Sequence, residues 1–139
     1  MNDNLTTLLV LNQDERSKVL QNLLADQGIE TELVESVQQA KRTLEQGMLY
    51  AAVFTDAELA DGTWADVLAL ADTAQGPVPV IVVSRYADTK LYLHALEKGA
   101  ADFTVPPFGV HEVAHVLRCA ISRGSKNRIA SRHACGRVG

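Results

Sequence analysis

Apolar positions follow two alternating rhythms along the chain. Leu8-Leu9-Val10-Leu11 is a continuous apolar run, which suits a parallel strand buried on both faces. Val19, Leu20, Leu23 and Leu24 then recur at helical spacing, and Gln27-Gly28 supplies a helix stop. Ile29 to Val34 reads as a second, more polar strand. Ser36-Val37-Gln38-Gln39 has the form of a capping box and predicts a second helix, ending at Gln46-Gly47. Tyr50 to Thr55 is a third strand, closed by Asp56. Asp61 or Thr63 caps a third helix carrying Trp64, Val67, Leu68 and Ala71, which Gln75-Gly76-Pro77 ends. Val80-Ile81-Val82-Val83 is the most hydrophobic strand and ends at Ser84. Leu91, Leu93, Ala95 and Leu96 mark a less regularly amphipathic fourth helix that stops at Lys98-Gly99. Asp102 to Val105 is a short fifth strand, Pro106-Pro107 forces a break, and Val110, Val113, Ala114, Leu117 and Ile121 mark a fifth helix.

Five strands alternating with five helices predict an α/β fold with a doubly wound parallel sheet, because parallel neighbours need right-handed helical crossovers. A chain of 139 residues, 47% hydrophobic and 22% charged, makes one globular domain. Such a domain buries roughly 68–70% of its unfolded surface. We place the domain at residues 1–121 and a basic flexible tail or linker at 122–139. The apolar runs fall far short of the ~20 residues that span a bilayer, and no charged segment with an apolar core precedes Leu8. The expectation is a soluble, cytoplasmic protein with no membrane partner. Cys119 and Cys135 form no C-x-x-C motif and read as reduced thiols. The net charge of -4 hides an asymmetry: all 17 acids lie between Asp3 and Glu112, while residues 113–139 carry six Lys/Arg and none. That basic tail lacks aromatic residues, so a linker fits it better than a nucleic-acid arm.

Ligands of open α/β sheets gather at the carboxyl ends of the strands. Asp56 is such a strand-end carboxylate, followed by the turn-prone Ala57-Glu58-Leu59-Ala60-Asp61-Gly62. The tips of the first, third, fourth and fifth strands would gather Asn12-Gln13-Asp14, Asp56, Ser84-Arg85 and Pro106-Pro107 around it. Each of these residues also has a plain structural role open to it. Asp56 could bond its own turn, Asp14 could cap the first helix, Ser84 could be a satisfied loop hydroxyl, and Phe103 could be core. His111 and His115 stand one helical turn apart but lack a third zinc ligand. No G-x-G-x-x-G or G-x-x-x-x-G-K-[ST] motif occurs, and no nucleophile has a base beside it, so the chain does not read as an enzyme.

The order Leu9-Val10-Leu11-Asn12-Gln13-Asp14-Glu15, Phe54-Thr55-Asp56 with Leu59-Ala60-Asp61-Gly62, Val82-Val83-Ser84, Lys98-Gly99-Ala100-Ala101-Asp102-Phe103 and Pro107-Phe108 resembles the receiver domain of bacterial two-component response regulators, over about residues 6–121. The resemblance implies a flavodoxin-like, CheY-like sheet with strand order 2-1-3-4-5. It implies a phosphoryl group passed from a histidine kinase to Asp56. It also implies a magnesium ion held by that aspartate, a nearby backbone carbonyl and an acidic pair after the first strand. A lysine after the fifth strand would contact the phosphoryl group. Ser84 and Phe103 match the hydroxyl and aromatic residues that shift together on activation and reshape the face of the fourth helix, fifth strand and fifth helix.

This chain departs from that pattern where the chemistry is most demanding. Asn12 and Gln13 stand in place of the acidic pair, and Pro106 in place of the lysine. Amides supply oxygen without charge, so metal binding falls back on a weak set of Asp56, Glu58 and Asp14, and magnesium is expected to bind weakly if at all. Phosphoryl transfer also loses cations that would neutralise its developing charge, each worth about 2–4 kcal/mol. Arg85, directly after Ser84, could contact a phosphate, or gate the pocket, or lie in solvent. Two readings stay open. One is a degenerate receiver that signals by protein–protein contact, and the other a slow but functional phosphoacceptor using Asp56 with magnesium. The partners expected are a histidine kinase or another signalling protein, with a homodimer through the fourth and fifth helices as a further candidate. Tyr92, His94, Val116 and Arg118 would lie on that face. A flavin-binding, flavodoxin-like protein is a third reading, but Asn12-Gln13-Asp14-Glu15-Arg16 is not the Gly/Ser/Thr-rich phosphate loop it needs.

Overall fold

In the computed structural model, residues 6–47, 49–75, 78–84 and 88–105 are described. The first apolar run forms strand β1 (Thr6–Val10), and helix α1 (Glu15–Asp26) follows it. Asp14 caps α1 by accepting from the backbone N–H groups of Arg16 and Ser17, while Ser17 Oγ accepts from the backbone N–H of Asp14. The helix stops at Gln27, and Gly28 takes φ 78°, a left-handed turn that only glycine adopts without strain. Strand β2 (Glu30–Val34) and helix α2 (Val37–Leu44) come next. Strand β3 (Ala52–Asp56) is buried along its whole length.

A small hairpin of β4 (Glu58–Leu59) and β5 (Gly62–Thr63) intervenes before α3 (Trp64–Gln75). Strand β6 (Val80–Val83), helix α4 (Thr89–Glu97) and strand β7 (Asp102–Thr104) complete the described elements. The expected fifth helix, the tail, Arg85 and Pro106 lie outside the described residues.

The large sheet runs β2-β1-β3-β6-β7 with every neighbouring pair parallel. Counting only its strands, this is the expected order 2-1-3-4-5. The chain leaves β1 toward one edge and returns on the other side as β3, so the switch point lies between those two strands. Ligand crevices open at such points.

Strand alternation divides the core into layers. Leu9, Phe54 and Ile81 pack with Leu20 and Leu24 of α1 on one face. Leu8, Val10, Val53 and Val80 pack with α2 and α3 on the other. Trp64, Val82, Ala95, Ala100 and Phe103 form a third cluster beneath α4.

Three local expectations are corrected, and the choice of cap for α3 is decided. Val19 lies on the outer face of α1, and the small Ser17 takes a buried position instead, because Arg16 and Asp14 turn the helix's first residues toward the sheet tips. Leu93 is likewise exposed. The reciprocal bond of the capping box at α2 misses its residue: Ser36 Oγ accepts from Gln39 N–H, but the Gln39 side chain accepts from Glu35 N–H. Asp61 does not cap α3. Thr63 does so with Asp66, while Asp61 reaches across the hairpin and accepts from the N–H groups of Val37 and Gln38 at the start of α2.

Those bonds, the one from Val37 first, hold the Asp61 carboxyl below its ordinary value of 3.8. A group with a lowered folded-state pKa adds stability that is complete above its unfolded value and is lost as pH falls through the folded one. Asp61→Ala is therefore expected to lower the urea midpoint near neutral pH, and the gap to the parent should close as pH falls below 3.8. The single tryptophan, Trp64, provides the fluorescence signal for that comparison. A gap that stayed constant into acid would show that the Asp61 charge has no part in the cap.

Candidate functional site

Asp56 is the last residue of β3 and only 2% exposed, so its carboxylate must find its partners within the protein. Its Oδ2 accepts two hydrogen bonds from Asn12, one from the backbone N–H at 2.7 Å and one from the side-chain amide at 2.9 Å. The same amide nitrogen also donates to the Glu58 carbonyl at 3.1 Å. Oδ1 accepts from Nη1 of Arg16 at 2.7 Å. The other arm of that guanidinium donates to Asp14 Oδ2 at 3.1 Å. Arg16 is 14% exposed in its side chain, against 32% for Asp14 and 3% for Asp56, so the ion pair grades from solvent into the interior.

Arg16 lies in the first turn of α1, where the positive end of the helix disfavours a cation. Asp14 and Asp56 together offset that penalty. Burial opposes the guanidinium's charge, but hydrogen bonds and charge from Asp56, then from Asp14, outweigh it and raise its pKa above the ordinary guanidinium value. Burial likewise pushes Asp14 upward. The Arg16 hydrogen bond and charge, with the backbone N–H groups of Ser17 and Arg16, outweigh it and leave Asp14 below 3.8.

The other predicted residues divide between those that join the pocket and those that do not. Asn12 faces Asp56 directly, as a donor. Gln13 is exposed. Asp14 is the helix cap and reaches Asp56 only through Arg16. Glu58 contributes its backbone carbonyl, while its side chain lies in an exposed position on the hairpin. Ser84 is buried just past β6, with its N–H donating to the Thr104 carbonyl. Phe103 points into the core, where the Tyr92 ring meets it edge-on at 5.6 Å between centroids. His94, on α4, meets Trp64 edge-on at 5.3 Å. Sequence reasoning missed Arg16. An arginine two residues past a helix-capping aspartate, against the helix dipole, is the signal that marks it.

A divalent cation needs several oxygen ligands with lone pairs turned toward it. The oxygens available here, Asp56 Oδ1 and Oδ2 and the Glu58 carbonyl, all accept hydrogen bonds from nitrogen. Among the described residues, no group of three His, Cys, Asp or Glu side chains could hold a metal. An ion could bind here only by displacing those donors, so magnesium is a weak ligand of this site.

A parallel sheet of this order defines the doubly wound, flavodoxin-like class of α/β domains. The description of the response regulator receiver domain matches residues 8–118, and the chain belongs to that family. Solved structures agree on the fold. The receiver domain of the sensor histidine kinase PA1611 from Pseudomonas aeruginosa PAO1, described with a magnesium ion in its active-site cleft, superimposes with a TM-score of 0.75 at 23% identity; the match covers 86% of this chain and 99% of that one. The beryllofluoride-activated NtrC4 receiver domain dimer gives a TM-score of 0.78 at 18% identity, covering 86% and 98%. A response regulator from Chloroflexus aurantiacus J-10-fl gives 0.80 at 20% identity, covering 87% and 100%. A search of curated protein sequences found no match. Among the described residues, no helix is long and apolar enough to cross a membrane.

Removing one member of a buried pair costs more than the pair contributes, because the remaining charge loses its compensation. Arg16→Ala leaves the Asp56 carboxylate with only Asn12 as donor, and should cost about 3 kcal/mol, the low end for a buried pair, because Arg16 is partly solvated. Asp56→Asn leaves Arg16 on Asp14 near solvent and should cost about 1 kcal/mol. Urea denaturation of both single variants and the double variant gives the coupling. Equal costs, or a coupling near zero, would show that the pair does not govern the site.

Proposed function

We propose that this receiver domain signals through protein–protein contact, with an acceptor pocket closed by its own side chains and a conformation set by a partner rather than by a phosphoryl group. The observation that carries this reading is the engagement of Asp56: three hydrogen bonds from Asn12 and Arg16 occupy both carboxylate oxygens, two on Oδ2 and one on Oδ1. A carboxylate so held is a weakened nucleophile, since three donors draw on its charge and the pocket must open to admit a phosphodonor. With Asn12 and Gln13 in place of the acidic pair, little remains to draw a metal or stabilise the charge of a transferring phosphoryl group. The domain thus acts as a cytoplasmic signalling module and not as an enzyme.

Its partner is a histidine kinase or another signalling protein. The face of α4 is the contact surface we favour, where Leu93 and His94 are exposed and Tyr92 is half-buried against Phe103. The NtrC4 receiver is described as a dimer, and a homodimer through this face is one form the contact can take.

One observation favours a second reading, a slow phosphoacceptor. Asp56 is retained at the strand tip, with the Arg16 cation beside it to share the charge of an acyl phosphate. Magnesium, which the PA1611 receiver carries in its cleft, is for this chain a weak ligand that must displace the donors around Asp56.

Incubation with acetyl phosphate and magnesium, followed by intact mass measurement, separates the two. We expect no phosphoryl adduct on the parent protein. An adduct that disappears in Asp56→Asn would replace the first reading with the second.

A further inference from the structure

We propose that Arg16 and Asn12 together are a hydrogen-bonding substitute for a divalent cation, so that a metal ion and the Arg16 guanidinium compete for Asp56. The inference deepens the receiver reading above and rests on it for the identity of the pocket.

The argument starts from what the nitrogen donors touch. The Asn12 amide nitrogen lies between Asp56 Oδ2 and the Glu58 carbonyl, 2.9 Å from one and 3.1 Å from the other. It joins a carboxylate to a backbone carbonyl on the hairpin, the linkage that an oxygen-seeking cation would make if it sat between them. An amide N–H supplies the bridge but no full charge. The charge comes from Arg16, whose guanidinium lies against the other carboxylate oxygen at 2.7 Å. Bridge and charge, which one divalent ion would supply together, are thus divided between two side chains.

Competition follows from electrostatics and space. A divalent ion beside Asp56 would sit close to a guanidinium that never deprotonates at ordinary pH, and would have to evict it. The guanidinium has somewhere to go, since its second arm is already bonded to the more exposed Asp14. Eviction therefore means a swing from a shared position onto Asp14 alone, with no unfolding of α1. The substitution Asn12→Asp would place a second carboxylate at hydrogen-bonding distance from Asp56. Two carboxylates that close need more positive charge than one guanidinium shared with Asp14 can give. In that background the metal has oxygen ligands to bind, and Arg16 becomes the remaining obstacle.

The test is a magnesium titration of the full chain, read by Trp64 fluorescence and by the shift in melting temperature, on the parent, Asn12→Asp, Arg16→Gln and the double variant. The parent should show no saturation up to about 10 mM magnesium. The double variant should saturate, with a dissociation constant at least ~10-fold below that of Asn12→Asp alone. Its melting temperature should rise with magnesium as mass action requires. Equal affinities for Asn12→Asp with and without Arg16 would overturn the proposal, as would tight binding by the parent. Should Arg16→Gln fail to fold, the nitrogen resonances of the Arg16 guanidinium in the parent decide. Slowed solvent exchange that persists in about 10 mM magnesium supports the inference, and a freely exchanging guanidinium refutes it. A phosphoryl adduct on the parent would reject the contact-signalling reading while leaving this competition intact.

Discussion

A charge at the end of a buried strand has to be answered by its neighbours, and in this protein the requirement falls on Asp56. β3 is enclosed on both faces and paired on both sides, so the carboxylate at its tip is removed from water. The answer comes from one short stretch, residues 12–16, between the end of β1 and the first turn of α1. Asn12 follows β1, Arg16 belongs to the first turn of α1, and Asp14 holds the other side of the guanidinium while capping the same helix. The hairpin is drawn in as well, because Asn12 bonds the Glu58 carbonyl. One buried charge thereby fixes how β1, α1, β3 and the hairpin meet.

The sheet was legible in the sequence because its determinants are local. Continuous apolar runs mark strands buried on both faces, and Gly28, Gly47 and Gly99 stand at positive φ where the helical rhythms break off. Periodicity also located the helices, although it could not tell that Val19 and Leu93 face outward. Asp56 could be singled out because a strand-end carboxylate before a turn is visible in one dimension. Of its partners, Asn12 could be placed beside it from the order of the strands, but Arg16 could not. Arg16 is 40 residues away in sequence, and the bond from Asp61 to α2 spans 24 residues, so both depend on how side chains reach between elements. The hairpin of two-residue strands escaped for a related reason: two residues carry too little alternation to register as a strand.

Departures from the receiver pattern at Asn12, Gln13 and Pro106 read in sequence as losses. The structure alters that account at one of these positions. Asn12 has not left a gap, because its amide and backbone N–H both turn toward the oxygens of Asp56. An arginine outside the recognised motif supplies the positive charge. Replacing acids by an amide beside a retained aspartate would otherwise leave the remaining carboxylate buried and uncompensated, at a cost comparable with a large part of a domain's stability. In this pocket the buried aspartate and the arginine are therefore one unit, each compensating the charge of the other.

The same contacts link the pocket to the far side of the sheet. Asn12 bonds the carbonyl of Glu58, the first residue of the hairpin; Asp61 lies in that hairpin's turn and caps α2. At the other end of the pocket, Ala57 N–H donates to the Val83 carbonyl and Ser84 N–H to the Thr104 carbonyl, next to Phe103 and the Tyr92 ring of α4. Two routes therefore leave Asp56, one toward α2 and one toward α4, each made of hydrogen bonds joined by short stretches of backbone, the second ending in the ring contact of Phe103 and Tyr92. Coupling requires more than continuity of this kind: it requires an element with two arrangements. Under the competition proposed above, Arg16 would be that element: it holds two carboxylate partners of unequal exposure at once, and transfer from Asp56 to Asp14 would free Oδ1 without disturbing the cap of α1. A change in which carboxylate holds the guanidinium is the smallest rearrangement that would alter both the charge of the pocket and the anchorage of the strand tip.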